Sequence, residues 1–317
     1  MRVTGHGASS SPARAPSGEQ YEISAGMHRV VVTEVGATLR SYEYRGHPVV
    51  AGFDVGERST SGRGQVLAPW PNRIRHGRYS FGGRDHQLPV DEPALGNAIH
   101  GLVRWAPWTV RERSPSAVTL AHTLFPRDGY PFLLETSVTY SLDADRGLTV
   151  HMAAGNAGTD TCPFACGSHP YFLAGPLPLD GWHLECPAGT RLLTDESAIP
   201  VGREAVGSTA FDFRVSRPIG ATVLDTCFTD LRRDAGGAAE VHLAIRAGGE
   251  PALTVWMDEQ FPYVMVFSAD TLPAGQSRSA LAVEPMTSAP DAFRSGEGLI
   301  RFEPGASWSG SWGVRPG

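Results

Sequence analysis

From Tyr21 onward the apolar residues of this chain recur at every second position, and that period constrains its fold more than any other feature. In residues 147–153, Leu148, Val150 and Met152 share one face while Thr149 and His151 take the other. Val241, Leu243 and Ile245 alternate with His242, Ala244 and Arg246. Leu253, Val255 and Met257 alternate with Thr254, Trp256 and Asp258. Side chains along a strand point to opposite faces in turn, so the pattern predicts half-buried antiparallel strands. Turn signals such as Leu142-Asp143-Ala144-Asp145 and Ala247-Gly248-Gly249 bound these runs. No stretch sustains a 3.6-residue apolar stripe over three turns, and single turns near Asp225–Leu231 and residues 290–294 are the only helix candidates. Glycine (37 residues) and proline (25) fill about one position in five, which breaks helices and favours short strands joined by turns. The expectation is one all-β domain over residues 18–317, a large antiparallel sandwich. Residues 1–17, poor in apolar side chains and rich in Ser, Ala, Gly and Pro, are expected to be a disordered extension.

Several functions are excluded by what the chain lacks. All 27 of its Lys and Arg residues are arginine. A Schiff base, a pyridoxal anchor and a Walker-type phosphate loop each need a lysine amine, so none of these operates here. The net charge is −6 with no basic run, which argues against a nucleic-acid surface. Cys162, Cys166, Cys186 and Cys227 match no common zinc spacing and read as reduced, structural thiols, so neither metal nor cofactor is expected. No apolar stretch is long enough to span a membrane, and the first 20 residues lack the apolar core of a signal peptide. The expected location is therefore the cytoplasm.

Three segments interrupt the strand pattern: residues 67–78, 91–105 and 167–173. Polar and aromatic residues gathered on loops of a β scaffold mark the expected site. His100 lies in Ile99-His100-Gly101, and His169 in Ser168-His169-Pro170-Tyr171-Phe172, where Pro170 disfavours helical geometry at His169. An acidic imidazole beside aromatics suits a sugar ring, whose C–H faces stack on aromatic side chains. A buried turn histidine fits the same context. Glu284 stands among Leu281, Ala282, Val283, Pro285 and Met286, where a carboxylate implies either function or a buried ion pair, with Arg73 as its structural partner. One carboxylate and one imidazole suffice for anomer exchange. A base takes the proton of the C1 hydroxyl, an acid protonates the ring oxygen, the C1–C2 bond rotates, and closure on the other face reverses both transfers. Such a cycle requires the carboxylate ionised and the imidazole protonated, which a neighbouring carboxylate favours.

Taken in order, these segments resemble the aldose 1-epimerases, or galactose mutarotases, over nearly the whole chain. The similarity runs through Val32-Thr33-Glu34-Val35-Gly36-Ala37, Pro71-Asn72-Arg73-Ile74, Ile99-His100-Gly101, Ser168-His169-Pro170-Tyr171-Phe172 and Leu224-Asp225-Thr226-Cys227-Phe228. It ends with Glu284-Pro285, Pro290-Asp291-Ala292 and residues 299–305. The resemblance implies a β-supersandwich and a monosaccharide substrate such as glucose or galactose. It makes Glu284 the base and His169 the acid, with Arg73, His100 and Asp225 binding sugar hydroxyls. Trp70, Tyr171 and Phe267 are candidates to line the pocket. The partner is a small sugar, with the protein a monomer or homodimer and neither nucleic acid nor membrane involved. Thr226 departs from the histidine that many galactose mutarotases carry after the aspartate, which bears on sugar preference. Arg75, Arg78 and Arg104 raise an alternative within the fold, a hexose-6-phosphate epimerase. A glycoside hydrolase or lyase using Asp225 and Glu284, and a non-catalytic sugar-binding protein, are the alternatives of other classes.

Overall fold

Among the described residues, period-two strands assemble into two large antiparallel sheets, a four-stranded sheet and three two-stranded ribbons. The computed structural model describes residues 14–317 apart from 177, 246–248, 250 and 251. Most of the expected extension, most of the Ala247-Gly248-Gly249 turn and Arg246 therefore lie outside the described residues. A nine-stranded sheet has the order Thr109–Arg113, Ala117–Leu124, Leu134–Asp143, Gly147–Asn156, Ser307–Pro316, Leu253–Met257, Ala239–Ala244, His183–Glu185, Arg217–Pro218. An eight-stranded sheet has the order Pro200–Ala205, Ala188–Thr194, Asp225–Leu231, Tyr263–Phe267, Leu281–Met286, Gly167–Ser168, Val66–Leu67, with Tyr171–Phe172 also paired to Leu281–Met286. A four-stranded meander runs from Gln20–Ala25 to His47–Pro48. This is the antiparallel supersandwich expected above.

One continuous core joins the sheets. Val138, Val150, Val255 and Val314 from the nine-stranded sheet belong to the same buried cluster as Val66, Phe228, Val264, Val266 and Val283 from the eight-stranded one, and Val30 and Tyr42 from the meander. Each such side chain stabilises the fold by roughly 1.5–3 kcal/mol through removal of apolar surface from water. A polar bridge lies in this interior directly behind the site: Trp312 Nε1 donates to Ser168 Oγ at 3.1 Å, and Ser168 Oγ donates to Met152 Sδ at 3.5 Å. The four cysteine thiols are all buried and unpaired.

One local expectation changes. Asp225–Leu231, read as a helical turn, is a strand paired on both sides, with Ala188–Thr194 and with Tyr263–Phe267. Its Thr, Cys, Phe and Thr favour an extended chain, and with Thr226, Cys227, Phe228 and Thr229 all buried there is no alternation to read. The second helix candidate holds: Ala292–Ser295 forms one α-turn, ended by Gly296 at φ 78°. At the N-terminus, Arg14 pairs with Glu34 at 2.6 Å, Ser17 is buried, and the Val35 N–H donates to the Ser17 carbonyl. The three interrupting segments also carry short pairings, notably Arg73–Arg75 with Asn97–Ile99, ribbons too brief for alternation to be visible. Among the described residues no helix is long and apolar enough to cross a membrane.

Candidate active site

Strand register gathers most of the predicted residues on one face. Leu281–Met286 pairs Met265 with Glu284 and Phe267 with Ala282, while the next strand pairs Cys227 with Met265 and Asp225 with Phe267. On the other side Gly167 pairs with Met286 and Tyr171 with Ala282. That register puts His169 opposite Glu284, at the point where Pro170 interrupts the ladder. Residues paired across neighbouring strands share a face, so two adjacent rows form: Cys227, Met265, Glu284 and His169, then Asp225, Phe267, Ala282 and Tyr171. Thr226, Val266, Val283 and Val264 point the other way, toward the sandwich interior. The departure at Thr226 therefore falls on the side away from the cleft.

Loops roof this face and leave a cleft of about 280 Å³, lined among others by Asn72, Arg73, His100, His169, Tyr171, Asp225, Phe267 and Glu284. His169 Nε2 stands 3.3 Å from Glu284 Oε1, and the two residues are 4% and 2% exposed. The His169 ring stacks on Tyr171 at 5.0 Å with a 12° interplanar angle, and His100 meets its edge at 5.2 Å. The His169 backbone is clamped: its N–H donates to the Gln65 carbonyl at 3.1 Å and its carbonyl accepts from the Gly64 N–H at 2.9 Å. Gly62, at φ 73°, approaches so closely that a Cβ there would sit 2.5 Å from the imidazole, so glycine is required. Tyr171 donates its hydroxyl to the Ser61 carbonyl at 3.0 Å, which fixes the same strap.

Arg73 and His100 enter from the Arg73–Arg75 and Asn97–Ile99 ribbon. The Asn72 N–H donates to His100 Nδ1 at 3.3 Å, and the His100 N–H donates to the Asn72 carbonyl at 2.8 Å. With Nδ1 accepting, the ring proton of neutral His100 sits on Nε2 as a donor. Burial, helped by His169, Arg104 and Arg73, keeps His100 neutral by pushing it well below its usual range. Arg73 is not the partner of Glu284 that the sequence suggested; its Nε bonds Glu92 Oε2 and its Nη2 bonds Glu92 Oε1, both at 2.9 Å. Arg104 is held by Asp91 at 2.5 Å, Arg75 by Asp195 at 2.5 Å, and Arg78 by Gln87 at 2.9 Å.

The electrostatics of the pair run against the protonation states expected from sequence. Burial, with Arg104 and Arg73 adding to it, pushes His169 down to about 3. Burial and the neighbouring Asp225 carboxylate push Glu284 well up, opposed by Arg73. Both directions favour the uncharged arrangement, neutral imidazole beside protonated carboxyl, because separated charge is expensive where water is excluded. Asp225 opens to the cleft mouth; desolvation by the walls raises it, Arg73 opposes, and Glu92 adds to the rise.

The cleft thus unites His169, Glu284, Arg73, His100, Asp225, Tyr171 and Phe267. Trp70 is elsewhere. It is buried in the core with its ring edge-on to Phe293 at 5.6 Å, because a large apolar indole gains more inside the sandwich than at a hydrated rim. Sequence reading singled out neither Glu92 nor Asp91 as site groups, and their signal, two carboxylates one loop away from two cleft arginines, is visible only once the loops cross. Among the described residues no group of three or more His, Cys, Asp or Glu converges as a metal would require.

Comparison with known proteins places these features in context. Residues 19–315 match the aldose 1-epimerase family. The chain is 35% identical to the uncharacterized protein YihR of Escherichia coli K12, over 91% of this chain and 90% of that protein. It is 30% identical to galactose mutarotase of Rattus norvegicus over 65% of this chain and 64% of that one. The crystal structure of the GalM/aldose epimerase homologue from C. elegans superposes with a TM-score of 0.82 at 18% identity, covering 93% of this chain and 98% of that one.

Proposed function

This chain belongs to the aldose 1-epimerase family, and from that premise we propose that it interconverts the α and β anomers of an unphosphorylated hexose such as glucose or galactose. The observation that carries the reading is the buried His169–Glu284 contact at 3.3 Å, facing a cleft of monosaccharide size. That cleft falls at or below the lower end of the about 300–1,000 Å³ range typical of drug-sized ligands.

In the proposed cycle the pair shares one proton. With a cyclic sugar seated, protonated His169 faces the ring oxygen and ionised Glu284 faces the C1 hydroxyl. Glu284 takes the O1 proton, the electrons of that O–H bond form the C1 carbonyl, the C1–O5 bond breaks, and O5 takes the proton of His169. The pair ends as neutral imidazole and protonated carboxyl, its total charge unchanged. Rotation about C1–C2 and closure on the other face return both protons. Burial disfavours the charge-separated arrangement and favours the neutral one, so the site biases the pair toward the state that accompanies the open aldehyde. A dry site thereby offsets part of the unfavourable ring opening. His100 Nε2–H, Arg73 and Asp225 supply donors and an acceptor for the remaining hydroxyls, and Tyr171 and Phe267 supply faces for ring C–H groups.

Support for an unphosphorylated sugar comes from the arginines. Arg73, Arg104, Arg75 and Arg78, the forks that would suit a phosphate, are each engaged by a protein partner. Asp91, Glu92 and Asp225 add carboxylates to the same walls. A cytoplasmic location and a monomer or homodimer belong to the same proposal. Polarimetry of freshly dissolved α-D-glucose, α-D-galactose and glucose 6-phosphate tests it. The expected outcome is faster mutarotation of a free hexose by the wild type, abolished in Glu284→Gln. Acceleration of the phosphate ester alone would reverse the substrate assignment, and release of a product from an oligosaccharide would favour hydrolysis.

A further inference from the structure

Glu92 touches no reacting atom of the proposed cycle, yet it is more firmly built than a rim carboxylate needs to be. Its two oxygens take Arg73 side-on, through Nε and Nη2, with both side chains largely buried. Asn97, fully buried, donates Nδ2 to Glu92 Oε2 at 3.2 Å and to the Ser197 carbonyl at 2.9 Å. The Glu92 backbone carbonyl accepts from the N–H groups of Gly96 and Asn97 at 2.9 and 3.2 Å. Carboxylate, guanidinium and amide therefore form a braced chain from the Ser197 loop to the cleft wall. Two of the three guanidinium nitrogens are committed to Glu92, and the third, Nη1, reaches Asn72 Oδ1 only at 3.5 Å. A rigid fork held on one edge presents the other edge in a fixed direction.

We infer that Glu92 is a positioning residue for the epimerisation: it aims the Nη1 edge of Arg73 at a sugar hydroxyl and balances the Arg73 charge beside the His169–Glu284 pair. This rests on the epimerase reading above. The bland alternative is that Glu92 only neutralises a buried arginine, and the two make different predictions. Arg73 draws Glu284 down while Asp225 and burial push it up, and Glu92 opposes the influence of Arg73 on Asp225. Removing the Glu92 charge leaves Arg73 unbalanced, and a more positive surrounding releases protons from the coupled pair at lower pH.

The experiment is steady-state mutarotation of the hexose turned over best, across pH, for wild type, Glu92→Gln and Glu92→Asp. Glu92→Gln is expected to raise KM by about tenfold, the loss of one charge-assisted hydrogen bond, and to move the whole pH–rate profile to lower pH. Glu92→Asp keeps the charge but shortens the reach by one methylene, so KM rises while the profile stays in place. An unchanged KM and profile in both variants, with only a lower melting temperature, would overturn the inference and leave Glu92 a structural neutraliser. If Glu92→Gln does not fold, the KM of Glu92→Asp decides. Inactive wild type would sink the epimerase reading itself, and galactose affinity by titration calorimetry then compares the same three proteins without turnover. Equal affinity in all three would contradict the role given to Glu92.

Discussion

The two large sheets are built from the same kind of strand and share one core, yet they treat their outer faces differently. In the nine-stranded sheet Leu134–Asp143 alternates cleanly between buried and accessible positions, and its outer face carries Ser137, Thr139 and their neighbours into water. In the eight-stranded sheet all six residues of Leu281–Met286 are buried, because loops roof the outer face as the sandwich covers the inner one. A carboxylate in the first sheet, such as Glu135, faces water. A carboxylate in the second, Glu284, is removed from water and stands 3.3 Å from His169 Nε2. The proposed chemistry falls where the alternation fails.

That contrast can be broken by substitution, and the largest effect is expected at the pair. Glu284→Gln keeps the shape of the side chain but removes the proposed base, and should slow mutarotation by about 10²–10⁴-fold with little loss of melting temperature. Loss of folding in place of loss of rate would mean that Glu284 is structural. One residue earlier in the same strand the reverse is predicted. Val283→Ala, on the sandwich side, should destabilise the fold by about 2 kcal/mol through lost burial and a small cavity, while activity per folded molecule in a mutarotation assay stays near wild type.

A smaller effect separates the faces by pH. The folded protein holds His169 at about 3 against an ordinary 6.5, so the unfolded chain binds this proton first as pH falls. The stability that neutral His169 contributes is complete above 6.5 and is lost as pH falls toward about 3. His169→Gln, which has no such proton, should flatten the denaturant-midpoint curve across that window. An unaltered slope would mean that His169 is more hydrated than its burial indicates. The smallest effect belongs to the outer face of the nine-stranded sheet. Ser309→Ala should change stability by less than about 0.5 kcal/mol and leave the mutarotation rate unchanged. A clear loss of rate there would show that the second face takes part after all.

The same contrast explains what could be read in advance. Leu148, Val150 and Met152 announced their strand because one face is wet, and the supersandwich followed from repeating that pattern. Asp225–Leu231 looks in sequence like a turn of helix, because its central residues are buried on both faces and carry no period. His169, Glu284, Arg73, His100 and Asp225 were legible as polar groups in apolar or loop settings, and all five meet in the cleft. Trp70 was not, since an aromatic beside a site motif and an aromatic in the core look alike until packing is known. Glu92 was silent for another reason. Its partner Arg73 lies 19 residues away, and only the crossing of two loops makes them a pair.

The most direct test of the central claim is magnetisation exchange between the anomeric signals of galactose, measured by NMR for wild type, His169→Gln, Glu284→Gln and the double variant. If the two residues pass one proton as a unit, each single variant loses nearly all the acceleration and the double variant is no slower than either. A single variant that exchanges anomers at the wild-type rate would contradict the account.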